Sequence, residues 1–497
     1  MTASNAGAAN PQRAVENERQ PPGVTLIFLT EMWERFSYYG MRALLVLYLV
    51  NSLNFERANA LQIYATYTGL VYLSPLVGGY LADRYLGRRK AILIGGITMA
   101  LGHFAMAFPA LLHLALGLLV CGNGFFKPNM ATLLGSLYRD NDPRRDGGFT
   151  IYYMGVNLGA FLAPLVAGTI GEKVGWHYGF ACAGVGMCFG VAQFLYSQDK
   201  LGGAGLPEGK ARLDGADWTH IVAISLGMIP LVYAVMAAWG TLGPLWNGLP
   251  VAGKIVAGFV VAAALWFGSD YFARREGKTH EALTHDEWHR IFAILVMGVF
   301  VVFFWMGFEQ AGGTMNLFAD KQTDRHMFGW EIPASVFQAI NPLGIILLGL
   351  PIAAIWTRNG RSRFALPTPA KLAIGLIFLG LGFILLAIAQ TRAESLGPVG
   401  PLWLVFVYLL HTIGELCLSP VGLSMVTKLA PLRVAGLMMA IWYLANALAN
   451  YLAGILEALL QGTSFPLYWF LVGSSLGAGV VLLLITPLIR KLMHGRG

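Results

Sequence analysis

The chain is 497 residues long, 56% hydrophobic and only 12% charged, with a mean hydropathy of +0.60. Soluble domains carry about 25% charged residues, so this balance excludes an ordinary soluble fold and places most of the chain in lipid. The net charge of +8 invites a nucleic-acid partner, but the basic residues fall in loops assigned to one side of a membrane, which removes that reading.

A bilayer leaves no water for unpaired backbone groups, so the spans are helices or a closed barrel; the apolar runs are long rather than alternating, which selects helices. Residues 1–22 are polar, end in Pro-Pro and lack the short apolar core of a cleavable signal. They read as a disordered cytoplasmic tail. About fourteen spans follow, beginning near Val24, Leu61, Ala91, Leu111, Gly147, Trp176, Trp218, Val251, Ile291, Ile332, Leu372, Pro401, Val434 and Phe465. Residues 23–199 form a first bundle of six and 200–217 a linker. Residues 218–275 form an inserted hairpin with no charge at its membrane centre. After a second linker, 276–289, residues 290–497 form a second bundle of six. The expected fold is an all-α membrane protein with two six-helix bundles plus this hairpin.

Basic loops at Asp83–Lys90, Arg139–Asp146, Phe272–Lys278, Arg358–Arg363 and Arg490–Arg496 alternate with loops poor in Lys and Arg. An even number of spans with both termini in the cytoplasm satisfies all of them. The loop after the second span, "GGYLADRYLGRRK", has a faint echo in "RNGRSR" after the corresponding span of the second half. Parallel repeats with a site between them at mid-membrane are a common transporter plan. Cys121, Cys182, Cys188 and Cys417 all lie in apolar segments without ligand-like spacing and read as small hydrophobes.

Seven ionisable residues fit no loop: Glu31, Glu34, Arg35, Arg42, Lys127, Glu309 and Glu415. Charges at the membrane centre cost about 2.5–3.5 kcal/mol each on insertion scales, so they mark function by default. Glu31, Arg35, Tyr38 and Arg42 advance by four, three and four, forming one helical stripe. Mutual neutralisation between turns is the bland explanation; a helix that needed only stability would use Leu. Three cations face four carboxylates, and a buried carboxylate without a cation takes up a proton more readily. All the cations lie in the first half, and two carboxylates stand alone in the second, so a cavity between the halves sets a positive wall against a negative one. A small zwitterion fits such a gap, and a dipeptide spans about 7 Å of backbone.

Tyr38, Tyr39, Tyr67, Trp305, Asn157 and Asn341 offer donors, acceptors and aromatic faces to the same cavity, though each also suits a helix interface. His411, one turn before Glu415, reads as a structural histidine. The pair His285 and His289, with Glu281 nearby, has helical metal-site spacing but lacks the HExxH order and reads as a solvated face. No metal or cofactor is expected beyond a coupling proton.

These segments resemble the proton-dependent oligopeptide transporter family, a branch of the major facilitator superfamily, over nearly the whole chain. "EMWERFSYYG" (residues 31–40) is similar to the family's ExxER motif. "GGYLADRYLGRRK" and "FTIYYMGVNLGAF" resemble its two signatures. "GNGFFKPN", "FWMGFEQ" and "GELCLSPVGL" resemble its later motifs, in the same order. The resemblance implies proton-coupled symport of di- and tripeptides by alternating access, by a monomer in a bacterial inner membrane. It implies that Arg35, Arg42 and Lys127 take the peptide carboxylate, and that Asn157, Asn341 and Glu415 take its amine. Glu31, Glu34, Arg35 and Glu309 would serve proton coupling, Glu309 exchanging a salt bridge with Arg42. Lys127 and Glu415 would form a gate. Trp305 and Trp442, with the tyrosines, would line side-chain pockets. The proton-linked histidine of animal members has no counterpart between Leu61 and Asp83, which leaves proton handling to carboxylates. A carrier of another small anion or drug-like solute on this fold is the alternative, and no constellation for a membrane enzyme is present.

Overall fold

The computed structural model describes residues 19–139, 142, 144–206, 284–327, 329–360, 366–431, 434–461, 463 and 465–494. Twelve long helices stand among them: α1 (Gly23–Asn51), α2 (Arg57–Leu81), α3 (Arg88–Ala105), α4 (Leu112–Gly135), α5 (Arg145–Ala163), α6 (Trp176–Tyr196), α7 (His285–Phe308), α8 (Ile340–Gly360), α9 (Thr368–Leu396), α10 (Leu402–Leu429), α11 (Ala435–Leu460) and α12 (Leu467–Leu492). Ten of the twelve start within four residues of the expected positions; α7 begins six residues before Ile291 and α8 eight residues after Ile332. The inserted hairpin and most of its two linkers lie outside the described residues.

Local chemistry sets the breaks. Gly87 (φ +72°) lets the chain leave α2 and enter α3, and Gly397 (φ +94°) ends α9; both conformations are costly for other residues. Pro367 and Pro466 precede α9 and α12, where a missing N–H costs nothing. Beyond Ala163, α5 continues through a π turn that begins at Pro164, then through Thr169–Lys173. Past Phe308, α7 tightens into the turn Glu309–Gly312 and resumes as Thr314–Lys321. Nine helical spans among the described residues are long and apolar enough to cross a membrane. The helix α1 is not one of them, because its four charges dilute its hydropathy.

The packing repeats. In the first half α1 meets α5 and α6, α2 meets α4, and α3 meets α4 and α6; in the second, α7 meets α11 and α12, α8 meets α10, and α9 meets α10 and α12. Adding six to each helix number converts one set into the other. The pairs that join the halves, α2 with α11 and α5 with α8, exchange under the same operation. One pair of close crossings also corresponds. Gly95 lies against the Gly122 carbonyl between α3 and α4, and Gly375 against the Gly414 carbonyl between α9 and α10. A Cβ at any of these four positions would meet backbone, so small residues let the helices approach where lipid supplies no hydrophobic drive. Pro75 and Pro351 interrupt the equivalent helices α2 and α8. The helix packing of the second half therefore repeats that of the first.

Candidate functional site

A cavity of about 950 Å³, its open mouth included, lies between the two bundles. The first bundle contributes Tyr39, Arg42, Tyr72, Tyr153 and Asn157; the second contributes Trp305, Glu309, Gln338, Asn341, Tyr408, His411 and Glu415, and apolar residues fill the remainder of the wall.

The charged stripe of α1 divides into two ion-pair systems. Towards the start of the helix, Arg35 closes on both of its neighbours. Its Nε lies 3.3 Å from Glu31 Oε1, it donates from a second nitrogen to Glu34 Oε1 at 2.8 Å, and it also pairs with Glu34 Oε2. Asn123 of α4 donates to the same Glu34 oxygen at 3.2 Å. All three charged side chains are buried, and this cluster belongs wholly to the first bundle. Two turns on, Arg42 crosses to the second bundle and pairs with Glu309, and its Nε donates to the Tyr64 hydroxyl at 2.6 Å. Gly312 makes room for that hydroxyl, because a Cβ there would collide with it. The turn after α7 therefore serves both to aim Glu309 and to admit Tyr64.

On the facing wall, Asn341 of α8 donates to Glu415 of α10 at 2.8 Å and to Thr412 at 3.1 Å. Thr412 in turn donates to the Tyr408 carbonyl at 2.7 Å, so a chain of bonds holds the amide in place. Across the cavity, Asn157 donates to the Tyr153 carbonyl of its own helix at 2.9 Å. The Lys127 ammonium sits 4.6 Å from the centre of the Tyr72 ring, a cation–π contact. Lys127 and Glu415 are thus not joined in this structure. His411 is buried beside Phe383, with Gly382 giving it space.

Of the residues singled out in the sequence, Tyr39, Arg42, Asn157, Trp305, Glu309, Asn341, His411 and Glu415 line the cavity. Glu31, Glu34, Arg35 and Lys127 belong to the first bundle and are not part of its lining, though Lys127 contacts the lining residue Tyr72. Tyr38 lies under the Arg35 guanidinium, 5.1 Å from ring centre to Cζ. Tyr67 is buried, and Trp442 is buried against Gly422 of α10. Tyr72, Tyr153, Gln338 and Tyr408 were not anticipated, yet three of the four carry a signal in their spacing. Tyr153 precedes Asn157 by four residues, Gln338 precedes Asn341 by three, and Tyr408 precedes Glu415 by seven, so helical periodicity puts each on the face of a residue already chosen.

Bonds between the bundles cluster at the end where α1 stops and α2 begins. Asn51 donates to Asp320 at 2.9 Å, Arg57 pairs with Glu457 at 2.6 Å and Lys173 with Glu331 at 2.6 Å. Glu172 accepts from the backbone N–H groups of Ala334 and Ser335, both at 2.8 Å, and Arg325 approaches it at 3.7 Å. Asn316 donates to the Ala43 carbonyl at 2.8 Å. This end is shut.

Comparison with known proteins places these features in context. A model described as the POT family matches residues 89–211 and 268–468. A peptide transporter of Yersinia enterocolitica, YePEPT, is 35% identical over 493 residues, covering 94% of each chain. The crystal structure of a peptide transporter POT in complex with sulfate superposes with a TM-score of 0.79 at 36% identity, covering 98% of this chain and 100% of that one. A POT family transporter crystallised in complex with 5-aminolevulinic acid superposes with a TM-score of 0.79 at 30% identity, covering 95% and 97%.

Proposed function

This chain belongs to the POT family, and we propose that it is a proton-coupled symporter importing di- and tripeptides by alternating access. The observation that carries the reading is the Arg42–Glu309 pair, which joins the bundles inside the cavity that also presents Asn341 and Glu415. An ion pair spanning the two halves at the edge of a binding cavity lets proton, substrate and conformation compete for one cation. A proton on Glu309 releases Arg42, and Arg42 then receives the peptide carboxylate; Lys127 adds positive potential from beside Tyr72, and Arg35 joins in when its own carboxylates are neutralised. Glu415, Asn341 and Asn157 take the ammonium end. Glu31 and Glu34 take up and release the coupling proton, and Arg35 pairs with whichever of the two is ionised. When the open end closes, Lys127 leaves Tyr72 and meets Glu415. Tyr38, Tyr39, Tyr67, Trp305 and Trp442 accommodate side chains with little selectivity, because every peptide shares the termini on which affinity rests.

The basic loops support an orientation in a bacterial inner membrane with both termini cytoplasmic. The shut end is then extracellular, and the cavity opens inward. The cavity lies within one chain, which supports a functional monomer. One charge crossing 100 mV supplies about 2.3 kcal/mol, roughly fifty-fold accumulation at about 1.4 kcal/mol per decade.

Uptake of labelled dialanine into proteoliposomes tests the proposal. An imposed pH gradient, acid outside, should drive accumulation, and Lys127→Ala should abolish it. Uptake indifferent to both would overturn symport. A small-solute carrier is the second reading, favoured by the structural neighbour that holds 5-aminolevulinic acid, which like a peptide ends in an amine and a carboxylate. Competition against dialanine separates the two, since a peptide carrier should be blocked far better by unlabelled dipeptides than by 5-aminolevulinic acid.

A further inference from the structure

We propose that the head of α7 and the end of α12 together form a site for a borderline transition cation such as Zn²⁺, held by His285, Asp286, His289 and His494. In the sequence, His285 and His289 look like a solvated face. The structure adds a third imidazole from 205 residues away. His494 Nε2 lies 3.0 Å from His289 Nδ1 and 3.6 Å from Asp286 Oδ1, and the two rings stack at 9°.

The site is built from both sides. Thr284 caps α7 in a reciprocal box, accepting from the Glu287 N–H while Glu287 accepts from the Thr284 N–H. Helical geometry therefore holds from the first turn, and the rings of His285 and His289 meet at 4.1 Å on one face. Ligand atoms of His285, Asp286 and His289 lie within 4.8 Å of one another. At the other end the chain leaves α12 and reaches His494, whose φ of +47° is uncommon for a residue with a Cβ. Its imidazole meets α7 at His289.

Two ring nitrogens facing each other at 3.0 Å share an N–H···N hydrogen bond in the metal-free chain, and a cation that displaces that proton gains both lone pairs. A tetrahedral Zn²⁺ with bonds of 2.0–2.1 Å holds neighbouring nitrogens about 3.3 Å apart, so His289 and His494, now at 3.0 Å, need to separate by only a few tenths of an ångström. Three imidazoles and one carboxylate suit Zn²⁺, Co²⁺ or Ni²⁺; Ca²⁺ and Mg²⁺ prefer all-oxygen sites. The helix N-terminus opposes a cation weakly, and Asp286 and Glu287 in the same turn offset it. The Asp286 side chain is 67% exposed and that of His494 35%, so the metal has an open entry and the arms can close by side-chain rotation. Bound metal would staple the end of α12 to the start of α7, two helices that already touch.

The experiment is a Co²⁺ titration of the full chain purified in detergent without a histidine tag. One equivalent should produce visible tetrahedral bands that Zn²⁺ abolishes by displacement. His494→Ala and His289→Ala should each weaken Co²⁺ binding at least tenfold, and the double variant His285→Ala/His289→Ala should lose the bands. Zn²⁺ should raise the apparent Tm of the parent chain but not of His494→Ala. Unchanged dialanine uptake in these variants verifies that they fold. Absence of the bands in the parent chain, or binding indifferent to His494→Ala, overturns the site.

Discussion

Replacing Glu309 with Gln removes one member of the inter-bundle ion pair while keeping its shape. The Arg42 and Glu309 side chains are 9% and 3% exposed, and stripping one partner from a buried pair costs about 3–5 kcal/mol, because the other charge stays behind uncompensated. Arg42 retains its bond to Tyr64 at 2.6 Å and borders the cavity, so the lower figure, about 3 kcal/mol, applies. Two of the other inter-bundle ion pairs do not make up the loss, since Arg57 is 45% exposed and Lys173 32% and such surface bridges contribute about 0–1 kcal/mol; the part-buried Glu172–Arg325 contact at 3.7 Å is unchanged by the substitution. At about 1.4 kcal/mol per decade, opening of the shut end should become roughly a hundredfold easier. Spin labels at Ser52 and Thr463, exposed positions at that end on opposite bundles, measure the change by pulsed dipolar spectroscopy. Glu309→Gln should add a long-distance population to a short one and should lose gradient-driven accumulation while keeping part of its counterflow. A distance distribution identical to that of the parent chain would refute the assignment of closure to this pair.

Glu172→Ala removes the acceptor of two charge-assisted backbone bonds, each worth about 1.5–3 kcal/mol, and should open the same end in the same spin-label assay, with Arg325 left beside an empty site. Asn341→Ala takes away the donor that holds Glu415 at 2.8 Å; a lost bond of about 1–1.5 kcal/mol should raise the dialanine KM roughly tenfold while leaving protein yield unchanged. Gly78→Ala drives a methyl group into the Gly124 backbone where α2 crosses α4. Overpacking of this kind costs about 1–3 kcal/mol, and a lower Tm in detergent, with no change in KM for the surviving protein, is the expected result.

How far the sequence reaches depends on the range of the physics. Hydropathy and helical period are local properties, so the starts of most of the twelve described helices and the stripe through Glu31, Arg35, Tyr38 and Arg42 could be read directly from neighbouring residues. The insertion cost of buried charge was equally local, and it selected most of the polar groups that matter around the cavity. What the stripe could not disclose was its division. Arg35 satisfies carboxylates on its own helix, whereas Arg42, seven residues on, finds Glu309 at a separation of 267 residues, because bundle packing brings α7 there and Gly312 leaves room for Tyr64. Likewise Lys127 rests on Tyr72 rather than on Glu415, and Trp442 is buried against α10. Partners of a charge are decided by which faces meet, and a helix carries no record of the face that will oppose it. His494 is the extreme case: a histidine at the end of the chain acquires chemical meaning only because packing sets the end of α12 beside the start of α7.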